Sequence, residues 1–145
     1  MIQEIIILND KGIPIFCHNF SGRSNEECNY QIIGSYFDQI CRFTKYRFKE
    51  SLSTLEMNKS VFYFKTHPKT NFHLIIKCDS KIYSKKLKKK SIDSITVKIF
   101  ENFLYKFKSE LMSFNGNIAP FKSFSEDIDE MIKPKGIMRN LVINP

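Results

Sequence analysis

The stretch MIQEIIILNDKGIPIFCHNF, residues 1–20, decides how the chain begins to fold. Ile2 to Leu8 is rich in β-branched residues and uninterrupted, as expected of a strand that is covered on both faces and therefore central in its sheet. Asn9-Asp10-Lys11-Gly12 supplies turn chemistry, with Gly12 free to take positive φ, and a second run from Ile13 to Phe20 follows at once. The pattern predicts a β-hairpin. Pro14 has no backbone donor, which places the second strand at a sheet edge. An edge of this kind is a rail on which another chain can add a strand.

Outward from the hairpin, Ser24 with Glu27 forms a capping box that starts a helix reaching about Thr44. Cys28, Ile32, Ile33, Tyr36, Phe37, Ile40 and Cys41 recur at helical spacing as one apolar stripe, leaving Asp38, Gln39 and Arg42 toward water. Ser51 to Met57, Val61 to Thr66 and Phe72 to Cys78 read as three short strands of a meander, separated by turn residues. In the last strand both faces carry apolar side chains, so it is expected to be largely buried. Val97, Phe100, Leu104, Phe107, Leu111 and Phe114, extended back by Ile92, Ile95 and Ile99, predict a long helix ended by Asn115-Gly116. Ser123 and Glu126 mark a further capping box, and Phe124, Ile128, Met131 and Ile132 give a short helix stopped by Pro134. Residues 1–134 are expected to form one domain and 135–145 a C-terminal tail, in which Leu141-Val142-Ile143 could add a strand or cover an edge.

The chain has 145 residues, 42% of them hydrophobic and 26% charged, with fourteen Phe and six Tyr. That is enough apolar side chain for a core without disulfides, and it excludes disorder as a description of the whole. No apolar run exceeds the four residues Ile5 to Leu8, so neither a membrane span nor a signal-peptide core is expected and the protein is expected to be cytoplasmic. The net charge of +8 is concentrated: residues 81–108 carry nine Lys or Arg against two acids. Lys81, Lys85, Lys86, Lys88, Lys89 and Lys90 could attract phosphates, anionic lipid or an acidic protein, although a solvated basic loop is the plainer reading. Nineteen Lys against four Arg, with Tyr83 the single aromatic inside the run, disfavours nucleic acid. The same bias fits an AT-rich genome.

Catalytic and metal signatures are weak. The four cysteines Cys17, Cys28, Cys41 and Cys78 contain no C-x-x-C pair, and His18, His67 and His73 have no H-x3-H spacing, so no metal site and no cofactor is expected. Reduced buried thiols are the default. Cys17 and His18 point to opposite faces of a strand and cannot act together directly. There is no Gly-rich phosphate loop, no G-x-S-x-G and no paired-carboxylate constellation outside the acidic 126–130 segment. An enzyme is not expected, and no catalytic residue is assigned.

The element order ββαβββαα, with Asn9, Gly12 and Pro14 following Met1 and the apolar run, resembles the longin domains, and the opening is similar to that of clathrin-adaptor sigma chains. Asn115-Gly116-Asn117 through Phe121, followed by the acidic helix, is similar to the end of archaeal longin-like proteins. The resemblance implies an α+β fold of longin-like type, related to roadblock and profilin domains. It implies a five-stranded antiparallel sheet with one helix on one face and two on the other. It also implies a non-enzymatic docking platform of vesicle-traffic and small-GTPase regulatory systems, stand-alone and archaeal in type. The partner would be a small GTPase, another longin or roadblock protein, or a second copy in a homodimer. The residues to watch on the edge strand and first helix are Ile13, Ile15, Cys17, Tyr30, Tyr36 and Arg42. The alternative is a basic module peripheral to an anionic membrane surface, or a ligand-sensing α/β domain.

Overall fold

In the computed structural model the described residues are 2–20, 27–79 and 85–132. The chain divides into two compact units, residues 2–81 and the residues from 82 onward joined by Met1. In the first unit β1 (Ile2–Leu8), β2 (Pro14–Asn19), β3 (Thr54–Glu56), β4 (Ser60–Thr66) and β5 (His73–Asp79) form one sheet of order β2-β1-β5-β4-β3. Every pairing is antiparallel. The N-terminal hairpin and the interior position of β1 are as the sequence predicts, and β2 ends the sheet order as Pro14 requires. β1 lies beside the strand carrying Cys78, with Ile2 opposite that residue. The five-stranded antiparallel sheet and the order ββαβββ are the α+β arrangement that the resemblance to longin domains implies.

The turn between β1 and β2 is held from within. The Asn9 side-chain oxygen accepts the N–H groups of Lys11 and Ile13, both at 2.9 Å, and Gly12 takes φ of +80°. The register then steps from Ile7 opposite Phe16 to Leu8 opposite Pro14, a bulge that leaves Ile15 without a facing residue.

Helix α1 (Glu27–Phe48) lies on one face of this sheet. Phe37 and Cys41 pack with Ile6, Leu8, Phe64 and Ile75, flanked by Ile33, Leu52 and Phe62. The helix runs one turn beyond the predicted end at Thr44, and Lys49 closes it in the left-handed region with φ of 61°, its N–H donating to Lys45 O. The predicted capping residue Ser24 lies outside the described residues. β3 is shorter than the sequence pattern, because only Thr54 to Glu56 pair with β4.

The predicted orientation of α1 needs correction. Asp38, expected in water, is buried, whereas Ile32 and Tyr36, expected in the core stripe, are exposed. The reason is Gly34: a Cβ there would stand 3.0 Å from Leu8 Cδ2 and 3.1 Å from Pro14 Cδ. Close approach of α1 to the hairpin therefore turns the Gly34–Asp38 side inward and Ile32 and Tyr36 outward.

The second unit contains α2 (Lys85–Lys106), α3 (Lys108–Met112), a 3-10 segment (Ala119–Ser123) and α4 (Phe124–Ile132). The long helix of the sequence reading is interrupted at Phe107, whose φ of −109° and ψ of 23° leave the helical region. Its buried stripe is Ile92, Ile95, Ile99, Phe100, Phe103 and Phe107, while Val97 is exposed. Phe103 is the hub: its ring lies 5.0 Å from Phe107, 5.6 Å from Phe121 and 5.1 Å from Phe124. Ser123 does not cap as predicted. Its hydroxyl donates to Pro120 O at 3.4 Å, because the preceding segment is 3-10 rather than extended. The backbone of Lys85 to Lys90 is the start of α2, not a loop, and the predicted tail 135–145 lies outside the described residues.

Candidate functional site

Helix α1 carries both faces of the candidate site. Toward the sheet, Asp38 sits under the hairpin turn, where a Cβ on Gly12 would meet its Cβ at 2.7 Å. Its Oδ2 accepts from Arg42 Nε at 2.7 Å, and Arg42 also donates through a terminal nitrogen to Asp10 O. Arg42 thus ties helix to turn by a charge-assisted pair and a backbone bond. The other oxygen, Oδ1, is buried with no donor in hydrogen-bond range and stands 3.6 Å from His73 Nε2.

His73 Nδ1 lies 2.9 Å from Thr66 Oγ1. With the Thr66 hydroxyl donating, the proton of the neutral ring resides on Nε2 and faces Asp38, the tautomer that avoids placing a lone pair against the carboxylate. Burial pushes the His73 pKa below its ordinary value, outweighing the upward pull of Asp38 and adding to the downward push of Arg42. His73 is therefore neutral at pH 7.

A cleft of about 610 Å³ opens beside the C-terminal half of α1, lined among others by Arg42, Lys45, Lys49, Thr66, Asn71 and His73. Cys41 and Leu52 add its apolar part. Cys41, His73 and Asp38 are the residue types of a nucleophile, base and orienting acid. Burial, reinforced by Asp38, nevertheless raises the Cys41 thiol to about 11, so it remains protonated at neutral pH and does not supply a thiolate. No group of three or more His, Cys, Asp or Glu side chains suited to a metal ion occurs among the described residues.

The opposite face of α1 is apolar and open. Ile32 is 72% exposed, Tyr36 54% and Phe43 60%, and their four- and seven-residue spacing makes one outward stripe. Of the residues singled out by sequence, Tyr36 belongs to this stripe and Arg42 to the polar cluster, so one helix carries both but turns them in different directions. Ile13 is 38% exposed at the hairpin, and Cys17 is half-buried against the sheet's α1 face. Ile15 is a correction: at 1% exposure its side chain belongs to the core, because the bulge turns it inward. Tyr30 lies on α1 with its side chain outside the described residues. β2 ends the sheet order, and its residues Phe16, Cys17, His18 and Asn19 each take part in further interactions. Of the lysine run, Lys90 is exposed, Lys81 lies outside the described residues, and so do the side chains of Lys85, Lys86, Lys88 and Lys89.

The sequence reading places Asp38 in water and gives His73, Lys45, Lys49 and Asn71 no site role. The i, i+4 spacing of Asp38 and Arg42 was the available signal for the ion pair; nothing local announces His73, which comes from a strand 35 residues away. No protein-family model matches the chain, and no curated protein matches it by sequence. Among solved structures, Myxococcus xanthus MglB is similar with a TM-score of 0.48 and 13% identity, over 70% of this chain and 85% of MglB.

Proposed function

We propose that this chain is a non-enzymatic docking platform, as its resemblance to longin domains implies, and that it receives a small GTPase on the outer face of α1. The carrying observation is the stripe Ile32, Tyr36 and Phe43, exposed on a helix whose other side is locked into the sheet core. An aromatic-rich face on a helix that cannot rotate offers anchors at low entropic cost. Another longin or roadblock protein, or a second copy of the chain, is the next reading for the same face. The test is binding of the purified chain to the small GTPases of its source organism in each nucleotide state. Micromolar affinity that falls at least about tenfold in the Tyr36→Ala, Phe43→Ser variant supports the reading. Absence of binding to all of them at ~100 μM overturns it, and sedimentation of the chain alone decides the homodimer.

A second reading is recruitment to an anionic membrane surface by Lys85 to Lys90. The favouring observation is placement: α2 begins on these lysines with no acid in its first turn, an arrangement that opposes the helix dipole and so gives the helix itself no benefit. Flotation with vesicles containing anionic lipid, abolished in high salt, is the expected result. Flotation unchanged by salt, or equal on neutral vesicles, overturns it.

A further inference from the structure

We propose that the cleft beside the C-terminal half of α1 is a binding site for a small phosphate-bearing ligand with an apolar body. This goes beyond the docking reading and does not depend on it. Arg42, Lys45 and Lys49 follow one another at three- and four-residue steps and all line the cleft, against a single acid, Asp10. Arg42 is engaged by Asp38 and Asp10 O, whereas Lys45 and Lys49 have no carboxylate partner among the described residues. The helix C-terminus accounts for part of their presence, but not for the neutral side chains Ser51 and Asn71, which also line the cleft and can donate to an anion.

The backbone supports the same place. Among the described residues the only non-glycine residues with positive φ are Lys49 at 61° and Asn71 at 59°, and both line this cleft. Lys49 does so in closing α1 and Asn71 in the turn between β4 and β5, and the two local structures bring both side chains to the same cleft. A volume of about 610 Å³ suits a small organic molecule. Cys41 and Leu52 provide its apolar contact, and Tyr46, with the Lys49 ammonium 5.3 Å from its ring, also lines it. Point-like ammonium groups favour a phosphate dianion over a carboxylate, which a single Arg would clasp in bidentate fashion.

The test is a titration of the full chain, followed by backbone amide NMR, with inorganic phosphate, phenyl phosphate, an acidic peptide, and vesicles with or without phosphatidic acid. Saturable shifts at Lys45, Lys49, Ser51 and Asn71 are expected, with phenyl phosphate binding at ~1 mM or tighter and better than inorganic phosphate. Lys45→Gln with Lys49→Gln should weaken it at least about tenfold, and Lys88→Gln with Lys89→Gln should not. Tighter engagement of phosphatidic acid vesicles than of phenyl phosphate identifies a lipid headgroup as the source, and the reverse a free metabolite. No saturable shift at ~10 mM, equal loss in both lysine variants, or response to the acidic peptide alone overturns the proposal.

Discussion

Asp38 Oδ1 and His73 Nε2 stand 3.6 Å apart, facing one another across the join of α1 and β5 without a closed hydrogen bond. The carboxylate spends its other oxygen on Arg42, and the ring is anchored through Nδ1 to Thr66. Helix, turn and two adjacent strands are thus joined through polar groups at the border of an apolar core.

That relationship has a pH signature. The native pKa of His73 lies below its ordinary value of 6.5, so the unfolded chain binds more protons between the two values and stability rises with pH there. The contribution of His73 is complete above about pH 6.5 and is lost as pH falls toward the native value, at no more than about 1.4 kcal/mol per pH unit. Urea unfolding from pH 5 to 8, compared between the wild type and His73→Gln, should show the slope in the wild type and its loss in the variant.

Removing Arg42 strands a buried carboxylate. Arg42→Ala should destabilise the chain by about 2 kcal/mol despite the 59% exposure of the Arg42 side chain, because the penalty falls on Asp38 rather than on the exposed guanidinium. Asp38→Asn introduced with it should recover part of the loss, and a double-mutant cycle in urea measures the coupling.

The two positive-φ glycines among the described residues should respond differently. At Gly116, with φ of +102°, a Cβ meets nothing within 4 Å, so Gly116→Ala should cost only about 1 kcal/mol of backbone strain. Gly12→Ala adds a clash with Asp38 at 2.7 Å and should cost at least about 2 kcal/mol. Melting temperatures of the two variants give the comparison.

Large aromatic residues should separate into two groups. Phe103→Ala removes the centre of the Phe107, Phe121 and Phe124 cluster and should cost about 3–5 kcal/mol. Tyr36→Ala and Phe43→Ala remove exposed rings and should change stability by less than about 1 kcal/mol.

Cys41, with its thiol raised to about 11, should resist iodoacetamide at pH 8 in the folded chain and react once urea unfolds it. Peptide mapping by mass spectrometry distinguishes it from the half-buried Cys17.

The opening hairpin was legible because each of its signals is local: an apolar run, an Asn-x-x-Gly turn and a proline that cannot donate. The type of β3, β4, β5, α1 and α4 was legible for the same reason, whereas the helical start of α2 on Lys85 to Lys90 and the 3-10 turn before α4 were not. The interruption at Phe107 was not, since the apolar pattern continues unbroken through Leu111 and Phe114. Nor was the centrality of Phe103, because α2 has enough apolar residues to support more than one stripe.

The amino-acid sequence by itself determined the order of strands and helices, the turn at Asn9 to Gly12 and the terminal position of β2 in the sheet, since propensity, alternation and missing donors act over a few residues. Tertiary structure alone decided the rotation of α1. A helix bearing apolar residues on several sides has no preferred face until the flat side of Gly34 meets Leu8 and Pro14. That contact buries Asp38, brings it to His73, sets the lysines along the cleft and turns Ile32, Tyr36 and Phe43 outward.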